Sequence, residues 1–135
     1  MEPGKPSKRI QWMGDSKDRL RGFPEEVRYE IGSALRSAQF GESHPSAKPM
    51  RGINAVEIVS DFDGDTFRGV YTTKIKEYIY VLHCFKKKST IGIKSQKRDL
   101  NLIRTRLRDA EEHQRQRESD EKKRMAEDRS GGGRR

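Results

Sequence analysis

Only 30% of this 135-residue chain is hydrophobic and 7% aromatic, too little for all of it to pack into one core. The shortage predicts a single domain with charged, solvated length attached. Cysteine is nearly missing: Cys84 alone excludes an internal disulfide framework, and with no Cys-x-x-Cys pair it points to a reducing compartment, the cytoplasm. No apolar run approaches the ~18 residues of a membrane helix, and no apolar stretch follows Lys5, Lys8 and Arg9, so neither a membrane span nor an export signal is expected. Also absent are a Gly-rich phosphate loop, Gly-x-Ser-x-Gly and a reactive Cys/His spacing. His44, His83 and His113 are too scattered for metal ligation, and neither metal nor cofactor is expected. Negative charge is in deficit, 21 acidic residues against 30 basic, for a net charge of +9. A polyanionic partner follows from that imbalance.

What is present divides into three parts. Residues 1–8 hold two prolines, a glycine and charged groups, and read as a flexible N-terminus. Residues 9–112 carry the periodic signal. Ile10, Trp12 and Met13 suggest a first strand, with Asp15 or Ser16 capping a helix that brings Leu20 and Phe23 to one side. Pro24-Glu25-Glu26 starts a second helix whose face is Val27, Ile31, Ala34, Leu35 and Ala38, ended by Gly41. Residues 41–52, with Pro45 and Pro49, read as a loop. Residues 55–62, 66–74 and 78–85 read as three successive antiparallel strands, the first two joined at Asp63-Gly64. Ser95 then caps a helix with Leu100, Ile103, Leu107 and Ala110 on one face. Residues 113–135 read as a charged helical extension and disordered tail. From residue 111 onward eight basic side chains meet seven acidic ones, so nearly all the net charge belongs to the folded part. The expected class is α+β: an N-terminal strand, a helical hairpin, an antiparallel sheet of about three to four strands and a C-terminal helix.

Four features could carry chemistry. Strand parity sets Phe67, Gly69 and Tyr71 on one face and Arg68, Val70 and Thr72 on the other; by spacing alone Arg68 is either a surface residue of an open sheet face or a functional cation. Between residues 86 and 98 stand Lys86, Lys87, Lys88, Lys94, Lys97 and Arg98 without one acidic residue, a single-signed cluster suited to a phosphate backbone, although strand-end lysines also discourage edge pairing. His83, in the most apolar strand, is a general base or a hydrogen-bonded core histidine. Asp61, Asp63 and Asp65 invite a metal reading, but their order is wrong for a calcium loop and an Asp-Gly hairpin explains them.

The segment Asp65-Thr-Phe-Arg-Gly-Val-Tyr71, then Tyr80-Val-Leu-His-Cys-Phe-Lys-Lys-Lys-Ser89, Gly92-Ile-Lys-Ser and the helix with Leu-Ile-Arg-x-Arg-Leu resemble the phage-derived branch of HigB-type toxins in the RelE/ParE superfamily. The likeness spans residues 55–112. It implies a RelE-like α+β domain and the toxin of a type II toxin–antitoxin system, a metal-independent endoribonuclease cutting mRNA in the ribosomal A site. It also implies catalytic roles at the scissile phosphate for Arg68 and Lys87, RNA contacts from Lys86 and Lys88, and a separate helix-turn-helix antitoxin. Fixed cations suit that chemistry because charge builds on the phosphoryl oxygens. His83 and Tyr71 are nearby proton carriers, and parity makes Tyr71 core; no strong general base stands out. Two alternatives remain: a ParE-like poison of gyrase, and a non-catalytic nucleic-acid-binding module.

Overall fold

A computed structural model of the chain describes residues 7–72, 77–87 and 93–132, without the side chains of 93–95 and 130–132. The order of elements is β1 (Arg9–Trp12), α1 (Ser16–Arg21), α2 (Glu25–Gln39), β2 (Ala47–Pro49), β3 (Val56–Phe62), β4 (Asp65–Thr72), β5 (Tyr78–Lys87) and α3 (Ile93–Gly132). The strands form one sheet in the order β1-β5-β4-β3-β2, and the expected α+β class is the one observed. Two strand features differ from expectation. β1 runs parallel to β5, Ile10 beside Ile79 and Trp12 beside Val81, so the sheet is mixed; the long connection that a parallel pair needs runs through both helices to β2 at the far edge and back through β3 and β4. The stretch read as a loop contains β2, which pairs Ala47 with Ile58 and Pro49 with Val56. Proline is tolerated there because β2 is an edge strand.

Helix α2 forms on the predicted face: Val27, Ile31, Ala34, Leu35 and Ala38 are all buried. Gly41, at φ +73°, ends it, and the amides of Gly41 and Glu42 close on the carbonyls of Ala38 and Ser37 at 3.0 and 2.8 Å, satisfying helix-end acceptors. Asp15 precedes α1 but makes no side-chain cap; its carboxylate is taken by Arg19 and Arg106. Between β3 and β4, Asp63 and Gly64 both have positive φ, the two-residue turn that matches the strand twist.

The helices cover opposite faces of the sheet. On one, α2 with Leu20 and Phe23 packs on Ile58, Phe67, Tyr71, Ile79, Val81 and Cys84. Gly69 lets α2 approach, since a Cβ there would stand 3.1 Å from Ile31 Cγ2. On the other, Leu100, Ile103, Leu107 and Ala110 of α3 pack on Val70, Tyr80 and Leu82. Helix α3 begins at Ile93, ahead of Ser95, which therefore lies in the first turn rather than capping it. Packing continues past Ala110: the Tyr80 hydroxyl and His113 Nδ1 share a hydrogen bond of 2.7 Å, and the Arg117 guanidinium lies 4.0 Å from the Tyr78 ring centroid. Residues 118–129 are all exposed. No helix among the described residues is long and apolar enough to cross a membrane.

Candidate functional site

The site is built where the sheet face under α3 turns from apolar to charged. Directly opposed residues of antiparallel strands share a face. Arg68 on β4 is opposed by Val59 and Phe85, and Glu57 on β3 is opposed by Val70, so Arg68 and Glu57 both point toward α3. Arg68 Nη1 donates to Glu57 Oε2 at 2.5 Å, with the side chains only 20% and 11% exposed. Arg68 Nε is buried without a hydrogen-bond partner among the described residues. Such a half-buried, charge-assisted pair holds the guanidinium in one orientation.

The strand β5 carries an irregularity that shapes the rest. Its register with β4 shifts between Val70, opposite His83, and Tyr71, opposite Val81, leaving Leu82 as the extra residue of a bulge. Simple alternation would send Val81 and His83 to the same face. The bulge instead turns His83 to the α3 side, a re-aiming that bulges commonly perform, and it leaves Phe85 and Lys87 on that side as well. Lys86 goes to the opposite face, where Nζ is 3.0 Å from Asp65 Oδ2 and 5.9 Å from the Phe67 ring centroid.

The wall facing Arg68 is the start of α3, through Gln96, Asp99, Leu100 and Ile103 at helical spacing. With Met50, Glu57, Phe85 and Lys87 they enclose a cleft of about 200 Å³. That is smaller than the ~300 Å³ at which small-molecule pockets begin, and fits one part of a larger ligand. Arg68 and Lys87, distant in sequence, share this cleft.

His83 does not line it. Its side chain is 1% exposed, with Nε2 2.9 Å from Asp99 Oδ1, and its ring stacks on Phe85 with centroids 4.9 Å apart. Burial lowers its pKa against the opposing influence of Asp99, which keeps the imidazole neutral near pH 7; Nε2–H then donates to the Asp99 carboxylate. His83 therefore stands behind the cleft, in contact with two of its lining residues, Asp99 and Phe85. Tyr71 is buried at 4% exposure on the α2 side, away from the cleft, and burial raises its pKa. Burial also pushes the Cys84 thiol up to about 12, leaving it protonated and unreactive.

The remaining basic residues spread around the site. Lys97 and Arg98 are exposed on α3 and are not among the residues that line the cleft. Lys88 lies outside the described residues, as does the side chain of Lys94. Among the described residues no group of three or more His, Cys, Asp and Glu side chains is arranged to hold a metal; Asp61 accepts from the Thr66 hydroxyl at 2.7 Å, as hairpin flanks do. Two charged cleft residues escaped the sequence reading, Glu57 and Asp99. Asp99 had a signal: it is the lone acidic residue between Lys86 and Arg108, among nine basic ones.

Residues 18–108, more than half of the chain, match the family described as phage derived protein Gp49-like (DUF891). The chain therefore belongs to the Gp49-like family, which is related to the RelE/HigB-type toxins, and the matched segment contains every residue of the cleft. No curated protein matches the sequence.

Proposed function

We propose that this chain is the toxin of a type II toxin–antitoxin pair and acts as a metal-independent endoribonuclease that cuts mRNA on the ribosome. The observation that carries the reading is the convergence of Arg68 and Lys87 on one small cleft, walled by a helix on which Lys97 and Arg98 are exposed. A guanidinium held by Glu57 grips phosphoryl oxygens in a fixed plane, and the ammonium of Lys87 adds a compact charge beside it. Both stabilise the negative charge that grows as a ribose 2′-hydroxyl attacks the neighbouring phosphate. The cleft admits a single phosphate and its sugar, so alignment of the strand falls to the ribosome. The net charge of +9 favours encounter with RNA. A separately encoded helix-turn-helix repressor is the expected antitoxin.

The test is translation of a defined mRNA by purified ribosomes with the protein, mapping of new 5′ ends, and gyrase supercoiling assayed in parallel. Ribosome-dependent cuts are expected, and in a minimal RNA assay they persist in EDTA. Intact mRNA with trapped gyrase would overturn the reading in favour of a ParE-like poison. RNA bound but uncut, with gyrase unaffected, would leave a non-catalytic binding module.

A further inference from the structure

The cleft holds two carboxylates as well as two cations, and only one of the acids is committed to a cation. Glu57 is bound to Arg68 at 2.5 Å and is 11% exposed; Asp99 is held by a neutral imidazole at 2.9 Å and is 24% exposed. A proton arriving on Glu57 would break the ion pair that orients Arg68. A proton arriving on Asp99 breaks none. The second observation is the expense of the arrangement: an imidazole at 1% exposure, its Nδ1 buried with no partner among the described residues, is a poor choice for core filling, since an unsatisfied buried polar atom destabilises the fold. What the imidazole provides is a fixed N–H aimed at one carboxylate oxygen at the mouth of the Arg68–Lys87 cleft. The bulge at Leu82 is the local device that makes this aim possible.

We infer that Asp99 is the catalytic residue that takes the proton from the attacking ribose 2′-hydroxyl, and that His83 is the positioning residue behind it; this rests on the ribonuclease reading above. In the step, the 2′-hydroxyl proton passes to the Asp99 carboxylate as the 2′-oxygen bonds to phosphorus. The bond from phosphorus to the 5′-oxygen of the next nucleotide breaks, its electron pair stays on that oxygen, and the oxygen takes a proton from the Lys87 ammonium. The products are a 2′,3′-cyclic phosphate and a 5′-hydroxyl end. Asp99 then loses its proton to water and Lys87 regains one, so no net proton is consumed. Arg68 stays charged throughout and holds the phosphoryl oxygens.

The discriminating variant is Asp99→Asn, which keeps an oxygen acceptor for His83 Nε2–H and nearly the same shape while removing basicity. Single-turnover cleavage on ribosomes is expected to fall by about 10²–10⁴-fold, the usual worth of a general base, with unchanged ribosome binding and a native circular dichroism spectrum. The rising limb of the pH–rate profile should flatten. The charged and titratable groups facing Asp99 are Glu57, Arg68 and Lys87 across the cleft and His83 behind it. A folded Asp99→Asn protein that cuts within about fivefold of wild type, or keeps the wild-type pH profile, overturns the inference. If that variant unfolds, Asp99→Ser with added formate decides: cleavage restored by formate supports the role, and cleavage indifferent to formate overturns it. Wild-type protein that cuts while Asp99→Asn also cuts and Arg68→Ala does not would remove only this inference; wild-type protein that never cuts RNA removes the function with it.

Discussion

Each face of the sheet is covered by a helix, but the two interfaces are filled with different chemistry. Under α2, whose Val27 and Ile31 face the sheet, lie Ile58, Phe67, Val81 and Cys84 in one apolar cluster. Between α3 and the sheet, the apolar contacts of Ile103 with Val70, Tyr80 and Leu82 give way, toward the start of the helix, to Arg68, Glu57, His83 and Asp99 in two hydrogen-bonded pairs. Withdrawing ionisable groups from water is costly even when they are paired, and apolar residues of similar volume commonly serve stability as well or better. One face is therefore built for cohesion, and the other sacrifices some of it for a set of oriented charges.

The sharpest way to break that contrast is to damage each face separately. Ile31→Ala, which empties a fully buried position on the α2 side, should lower stability by about 2–5 kcal/mol in urea unfolding, while the protein that remains folded cuts RNA at the normal rate. Arg68→Ala should do the reverse: cleavage falls by about 10²–10³-fold, and stability drops by no more than ~1–3 kcal/mol from the loss of Glu57's partner. Retained growth inhibition by a folded Arg68→Ala protein would make the arginine an ordinary strand residue. Equal effects on both quantities from both variants would erase the division between the faces.

Neighbouring lysines sharpen the comparison on a finer scale. Lys87 lines the cleft, whereas Lys86 pairs with Asp65 on the other side of the strand at 44% exposure. Lys87→Ala should slow cleavage by about a hundredfold or more, and Lys86→Ala should alter stability by less than ~1 kcal/mol, as exposed ion pairs do, with a rate close to wild type. Were Lys86→Ala the more damaging of the two, the RNA would have to run across the α2 side of β5.

Sequence periodicity was enough to identify the helix faces, because each rests on spacing within one element: Val27, Ile31, Ala34, Leu35 and Ala38 in α2, and Leu100, Ile103, Leu107 and Ala110 in α3. The Asp63-Gly64 turn and the division of β4 into a Phe67 side and an Arg68 side were legible for the same reason. What local patterns could not show were relations between distant segments. The parallel pairing of β1 with β5 and the three-residue β2 depend on partners far along the chain. The bulge at Leu82 exists only in the register between β4 and β5, and it decides which way His83 points. Arg68 and Lys87 came from a family resemblance, and Glu57 and Asp99 from neither source, since a lone carboxylate in a basic stretch reads as a solvated charge until its neighbours in space are known.

The smallest expected effect concerns the link between the two layers. Asp15 accepts from Arg19 of α1 at 2.7 Å and from Arg106 of α3 at 2.8 Å, while Arg106 also donates to the Leu82 carbonyl at 2.9 Å. The hydrogen bonds from Arg19 and then Arg106 lower the Asp15 pKa from 3.8 to about 2. Because the folded carboxylate binds a proton less readily than the unfolded one, its contribution is complete above pH 3.8 and disappears as the pH falls through about 2. The side chain is 47% exposed, so solvent screening confines the effect to less than ~1 kcal/mol. Asp15→Asn should therefore be slightly less stable than wild type at pH 7, by an amount that shrinks with added salt. The two should converge in acid unfolding between pH 4 and 2, a window fixed by the two pKa values. A stability gap that persists undiminished at the acid end would mean that Asp15 acts through packing or backbone geometry, and that the two helical layers are joined by the sheet alone.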